Sequence, residues 1–330
     1  MTMDILEVRN LTTHFFMQEA TARAVENVSF ALRGGETLGL AGESGCGKTT
    51  TALSIMKLLP PGGRILNGEI LLEGDDLVRK TNREMNAVRW KKIAIVFQGA
   101  MNALNPVIRV GDQVAEAIVE KENVGKAEAI ARVRSLFELV GLDSSRVTDY
   151  PHEFSGGMRQ RVMIAMALAC NPSVVIADEP VTALDVVVQT RILELLKSLQ
   201  RELNLSIILI THDLSVIAET CDRVAIMYAG KIVELGNVID VYKNSWHPYT
   251  ETLITAFPSI AGEKKRLKSI PGDPPDLTSP PTGCMFHPRC PWQDETCRNQ
   301  EPEYRQVGTE HYVACHYSEK IRGKLREVGI

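Results

Sequence analysis

Gly42-Glu43-Ser44-Gly45-Cys46-Gly47-Lys48-Thr49 reads as G-x-x-x-x-G-K-[ST], a loop that sets the chain among the α/β folds. An apolar run at 37–41 precedes it and a helical pattern at 48–59 follows. Phosphate binding needs that strand–loop–helix order. Backbone N–H groups of Gly45 to Lys48 would cradle the anion, Lys48 would reach the β/γ oxygens, and Thr49 would hold Mg²⁺. Gly42, Ser44, Gly45, Cys46, Gly47, Lys48, Thr49 and Thr50 are therefore the expected nucleotide contacts.

Around this loop, runs with strand character recur at 5–8, 25–32, 69–72, 93–97, 174–177, 207–210, 224–227 and 232–235. Several are nearly unbroken Val, Ile and Leu, as strands covered on both faces are. Helical patterns at 48–59, 186–203 and 214–220 alternate with them, which is the rhythm of an α/β domain. Between about 102 and 171 the strands stop and helical patterns such as 111–120 and 126–140 take over. That block predicts a helical subdomain inserted into a domain spanning 1–256. From 257 to 283 prolines accumulate (Pro258, Pro271, Pro274, Pro275, Pro280 and Pro281), predicting a linker or meandering extension. Residues 257–330 are thus expected to be a C-terminal extension that ends in a small cysteine-containing tail.

Composition narrows the function. With 44% hydrophobic and 24% charged residues, the chain has the make-up of a soluble globular protein. Its net charge of −4 argues against a general nucleic-acid binder. The longest apolar run, 162–170, falls well short of a membrane span. The first nine residues carry no secretory pattern, so a cytosolic chain is expected, attached to a membrane only through partners.

A second anion-binding device lies at Phe154-Ser155-Gly156-Gly157-Met158-Arg159-Gln160-Arg161. Ser155, Gly156 and Gly157 open a helical pattern at 158–170, and a helix start gathers backbone N–H groups and partial positive charge. Two such devices imply either two nucleotides or one shared between subunits. Val174-Val175-Ile176-Ala177-Asp178-Glu179 is an apolar strand ending in two carboxylates. Asp178 suits Mg²⁺, and Glu179 suits a general base that polarises the attacking water. Gln98 and His212 each follow a predicted strand, where open α/β sheets bind ligands. Gln98 could reach Mg²⁺, and His212 the γ-phosphate.

In order and spacing, GESGCGKT at 42–49, Gln98, FSGGM at 154–158, VVIADE at 174–179, Ala183-Leu184-Asp185 and His212 resemble the ATP-binding subunits of ABC transporters. The resemblance covers about residues 4–250. It implies an ABC-type P-loop NTPase: a RecA-like α/β core with an antiparallel β subdomain and an inserted helical subdomain. It further implies a head-to-tail dimer of cassettes. Ser155, Gly156 and Gly157 of one subunit would then meet the γ-phosphate held by the other, and Asp185 would communicate across the dimer. Phe15, with Phe16 second, would stack on adenine. Val181 departs from the Thr or Ser usual after Asp-Glu-Pro, and a minor repacking is expected there.

The segments FQGAMNALNP at 97–106, WHPYT at 246–250 and PPTGCMFHPRCP at 280–291 resemble the dipeptide/oligopeptide importer subfamily. That implies peptide import energised with a second ATPase subunit, two transmembrane permeases and an external binding protein. The chain would sit at the cytoplasmic face of the membrane, with the 99–110 segment meeting a permease. Relatives in this subfamily also energise uptake of oligosaccharides or nickel. Cys284, Cys290, Cys297 and Cys315, with five, six and seventeen residues between them, suggest a metal or cluster before disulfides in a cytosolic chain. They lack the C-x₂-C pairs of zinc ribbons. A [4Fe–4S] cluster, present in some members of the subfamily, is the first expectation. Zinc with His287 or His316, and free thiols or disulfides, stay open.

Overall fold

The computed structural model describes residues 4–99, 103–255 and 270–320. The first half holds β1 (Asp4–Phe16), β2 (Thr21–Arg33), β3 (Thr37–Ala41), α1 (Lys48–Met56), β4 (Gly63–Leu72), β5 (Asp75–Asp76), α2 (Asn82–Val88), β6 (Ile93–Val96), α3 (Val110–Glu122), α4 (Lys126–Leu139) and α5 (Gly156–Ala167). There follow β7 (Val174–Asp178), α6 (Val186–Leu203), β8 (Ser206–Thr211), α7 (Leu214–Thr220), β9 (Arg223–Tyr228), β10 (Lys231–Asn237), α8 (Val238–Lys243) and α9 (Pro248–Thr255). The C-terminal segment adds α10 (Glu295–Asn299), β11 (Tyr304–Gly308) and β12 (His311–Ala314). Part of the proline-rich stretch, 256–269 with Pro258, and residues 100–102 of the FQGAM segment lie outside the described residues.

The chain divides into two compact units. The first comprises 4–5, 32–37 and 79–210 in its described residues. Here β6, β7 and β8 pair in parallel, with Ile93 opposite Val174 and Val174 opposite Ser206. Every residue of β7 and β8 is buried, which is why both read as unbroken rather than alternating apolar runs. Between β6 and β7 the described regular structure is helical. On α4, Ala129, Val133 and Phe137 recur every fourth residue and form its buried stripe. On α6, Ile192, Leu193, Leu196 and Leu199, one to three residues apart, form the buried face, while Asp185 caps its start and Asn204 ends it in the left-handed conformation.

The second unit comprises 6–31, 38–78, 211–255 and 270–320 in its described residues. One sheet has the order β2-β1-β4-β5, with Leu6 opposite Leu72 and Phe15 opposite Gly63 in antiparallel register. Five further strands run in the order β11-β12-β10-β9-β3. Only β3 and β9 pair in parallel there, placing Ala41 opposite Ile226. The C-terminal segment is built into this unit: β12 pairs with β10, Glu234 opposite Val313, and Phe286 shares a hydrophobic cluster with Ala41, Tyr228 and Tyr249. Its ring meets Tyr228 edge-on at 5.2 Å.

A buried carboxylate fastens the same unit. Glu234, fully buried, accepts hydrogen bonds from the backbone N–H of Trp246 (2.8 Å) and His247 (3.0 Å) and contacts His311 Nε2 at 2.8 Å. A buried charge persists only when it is satisfied in this way. It therefore ties β10, β12 and the entry to α9 together.

Candidate active site

The phosphate loop belongs to the second unit. Gly42, with φ +149°, lies so close to Met227 that a Cβ would stand 2.2 Å from that residue's carbonyl oxygen. Gly47 takes φ +106°, and a Cβ there would stand 2.3 Å from the Ala24 carbonyl oxygen. Both positions therefore require glycine. Gly47 precedes α1 without any side-chain cap, as suits a helix start reserved for an anion. Lys48 is buried and folded back, its Nζ donating to the carbonyls of Gly42 (2.7 Å) and Glu43 (2.9 Å), with Cys46 Sγ at 3.6 Å. Burial raises the Cys46 thiol above its ordinary pKa, against the opposing effect of Lys48. Ser44, Gly45 and Thr49 are exposed, and Thr50 is half-buried.

Three groups converge on Glu43, inside the loop. Its N–H donates to Tyr249 Oη at 2.9 Å, its carbonyl accepts from Lys48, and its carboxylate takes both Arg289 Nη atoms at 2.6 and 3.0 Å. Burial opposes the Arg289 charge, but hydrogen bonds to Glu43 and Tyr228 outweigh it and raise its pKa. Neither Arg289 nor Tyr249 was among the nucleotide contacts expected from sequence. Both come from segments that carried only subfamily resemblance.

Phe15 is half-buried and its ring packs on Gly63, while Phe16 is exposed with the Arg64 guanidinium 5.4 Å from its centroid. His212 is exposed immediately after β8, just before the Asp213 cap of α7.

In the first unit, Asp178 ends β7 opposite Ile210 and is 1% exposed. Glu179 follows in the left-handed conformation, φ 46°, with its N–H donating to Ile210 O at 2.9 Å. That turn aims the carboxylate at Gln98 Nε2 (2.8 Å) and Thr182 Oγ1 (2.9 Å), which both donate to it. Glu179 and Gln98, predicted independently, are thus brought together, and Thr182 joins them. Val181 is buried, in keeping with its apolar character. Ser155 is exposed and caps α5, its Oγ accepting from Met158 N at 3.3 Å. Gly156 and Gly157 form the first turn, and a Cβ on Gly157 would stand 2.5 Å from Val188 Cγ1. Asp185 caps α6 by accepting from Val188 N at 3.0 Å.

All four tail cysteines line one cavity, with Trp292 and Phe286. Burial pushes Cys284 and Cys290 up to about 11 and Cys315 to about 12. Among the described residues, no group of three or more His, Cys, Asp or Glu side chains is placed to hold a metal ion. That arrangement lends support neither to the expected [4Fe–4S] cluster nor to the zinc alternative. His287 Nδ1 and His316 Nε2 instead lie 3.0 Å from the carbonyls of Cys284 and Gln300. No helix among the described residues is long and apolar enough to cross a membrane.

Residues 25–182 match the family model described as ABC transporter, and 233–297 that described as oligopeptide/dipeptide transporter, C-terminal region. A probable peptide ABC transporter ATP-binding protein of Sinorhizobium fredii is 45% identical over 321 residues, covering 96% of each chain. The oligopeptide transport ATP-binding protein OppD of Bacillus subtilis is 49% identical over 314 residues, covering 94% of this chain and 87% of that one. Among solved structures, the dimeric bacterial ABC transporter cassette MJ0796 is 28% identical, with a TM-score of 0.64 over 71% of this chain and 98% of its own. The same cassette in a post-hydrolysis dimer bound to ADP and Pi gives equal values.

Proposed function

This chain belongs to the ABC transporter family, and on that footing we propose that it is the ATP-hydrolysing subunit of an importer of di- and oligopeptides. The hydrolytic reading rests on Glu179, a carboxylate at the end of a buried strand, held by Gln98 and Thr182. Peptide as cargo is supported by relatives named for peptide transport that align along more than nine-tenths of the chain.

Each residue then has a task. Lys48 exchanges the Gly42 and Glu43 carbonyls for β/γ-phosphate oxygens, while N–H groups at the start of α1 hold the remaining ones. Thr49, Gln98 and Asp178 offer hydroxyl, amide and carboxylate oxygens, the hard donors that fit Mg²⁺. Because Gln98 donates through Nε2, its carbonyl oxygen is the atom left for the ion. Bound Mg²⁺ neutralises charge on the phosphates. Glu179 takes a proton from the attacking water as the terminal phosphoryl group leaves ADP, and His212 steadies that phosphate. Phe15 or the more exposed Phe16 stacks on adenine.

The site is completed in trans. Ser155, Gly156 and Gly157 present the start of α5 to a nucleotide on a second ATPase subunit, and Asp185 links the two. We favour a heterodimer that docks on two permeases at the cytoplasmic face of the membrane and receives cargo from an external binding protein. A DNA-repair ATPase is the distant rival; such enzymes typically split the cassette around a long coiled coil, and this sequence shows no sustained heptad block. ATP hydrolysis by the assembled transporter in vesicles, measured with loaded binding protein, tests the cargo. Stimulation by peptide is expected. Stimulation by an oligosaccharide or nickel in its place would reassign the substrate.

For the tail, we propose that Cys284, Cys290, Cys297 and Cys315 hold a structural [4Fe–4S] cluster. A cluster needs four sulfurs around a shared volume rather than on one point, and the four line one cavity. Iron and acid-labile sulfide in anaerobically purified protein test this. Stoichiometric zinc without iron would sink it.

A further inference from the structure

We propose that Arg289, in the C-terminal segment, is a positioning residue of the phosphate loop, acting through Glu43. The two are 246 positions apart in sequence, and both belong to the second unit. Arg289 grips both oxygens of the Glu43 carboxylate, at 2.6 and 3.0 Å, while its Nε donates to Pro271 O at 2.8 Å. Its guanidinium lies 5.7 Å from the centroid of the Tyr228 ring, and its side chain is only 5% exposed. The guanidinium is therefore held from three directions, and a forked contact of this kind fixes orientation as well as distance.

Glu43 is an awkward residue for its place. It puts a negative charge inside a loop built to receive a polyanion. Arg289 neutralises that charge and fixes the backbone that also presents the Glu43 carbonyl to Lys48 and its N–H to Tyr249. Without Arg289, the Glu43 carboxylate would lose its charge partner within an anion-binding loop, and the loop would lose one of its three anchors. The C-terminal segment is thus part of the nucleotide site rather than an appendage to it.

This inference rests on the reading that the loop binds Mg-ATP, and a charge-paired set of variants separates the two. Titration of the full-length chain with Mg-ATP is expected to show Arg289→Gln weakened on the order of ten-fold, as loss of a charged hydrogen-bonded partner implies. Adding Glu43→Gln to that variant removes the stranded charge, and the double variant is expected to recover most of the affinity. In the assembled transporter, the loss in Arg289→Gln falls on KM for ATP, with kcat within about two-fold. A structural defect alone would not be rescued by a second substitution. Wild-type affinity in Arg289→Gln, or a double variant no better than the single, overturns the proposal. Should Arg289→Gln not fold, Arg289→Lys decides: it keeps the charge but not the fork, so a smaller loss of about two- to three-fold is expected, and wild-type affinity there overturns the proposal too. Absence of Mg-ATP binding by the wild-type chain would instead remove the ATPase reading. Wild-type binding that Lys48→Ala abolishes, with Arg289→Gln unaffected, removes only the role of Arg289.

Discussion

Gln98 Nε2 donates to the Glu179 carboxylate at 2.8 Å, joining a residue just after β6 to one just after β7. The bond is possible because the two strands are parallel neighbours in register, Val96 opposite Ala177. Glu179→Gln keeps the shape of this contact but removes the carboxylate proposed as the base. ATP hydrolysis in the assembled transporter is expected to fall on the order of a thousand-fold, while the Kd for Mg-ATP changes little. Phosphate release measured beside nucleotide titration checks both halves.

Ser155 occupies the exposed cap of α5. Replacing it with Arg puts a long cation where, on the proposed shared site, a partner's phosphate would approach. Ser155→Arg is expected to bind Mg-ATP on its own loop yet fail to close the ATP-trapped dimer that a Glu179→Gln chain forms with its partner ATPase subunit. Light scattering with ATP present reads the outcome, and a dimer as stable as without the change would count against the shared site.

Gly47→Ala tests the loop's geometry. The new Cβ must sit 2.3 Å from the Ala24 carbonyl at φ +106°, so the loop or β2 has to move. A loss of at least about 1–3 kcal/mol in stability is expected, together with loss of nucleotide binding. Thermal melting and Mg-ATP titration measure the two effects.

His247 supplies a pH dependence. Burial pushes its pKa from 6.5 down to about 3, and its Nδ1 accepts from Tyr249 N at 3.1 Å, so the folded chain holds the ring neutral. The unfolded chain takes up a proton below about pH 6.5 and the folded one does not, so this contribution lowers stability as pH falls. It is flat above pH 7 and amounts to about 2 kcal/mol at pH 5. Melting curves at both pH values, compared with His247→Asn, isolate the effect. An equal acid loss in the variant would assign it elsewhere.

Much of this was legible because it is local. The phosphate loop announces itself in eight consecutive residues, and β7 and β8 are buried throughout, so their residue types leave little choice. Helix α6 spans 186–203 as its pattern predicts, bounded by Asp185 and Asn204. Helix α1 is shorter than its apolar pattern because Lys57 turns left-handed, at φ 48°. Strands β1 and β2 run to 13 residues each, well past their most apolar cores, since their half-exposed stretches pair through backbone rather than side chains. The docking of the tail was not legible. The pairing of β12 with β10 and the clasp of Arg289 on Glu43 join residues far apart in sequence, and neither leaves a periodic trace.

The central claim is that hydrolysis by this chain drives peptide uptake. Its most direct test is accumulation of a labelled oligopeptide by vesicles that contain the permeases and both ATPase subunits, with binding protein and ATP supplied on their proper sides. Uptake should require ATP and should collapse when this chain carries Glu179→Gln, although ATP still binds. Wild-type uptake by the Glu179→Gln transporter, or uptake without ATP, would contradict the account.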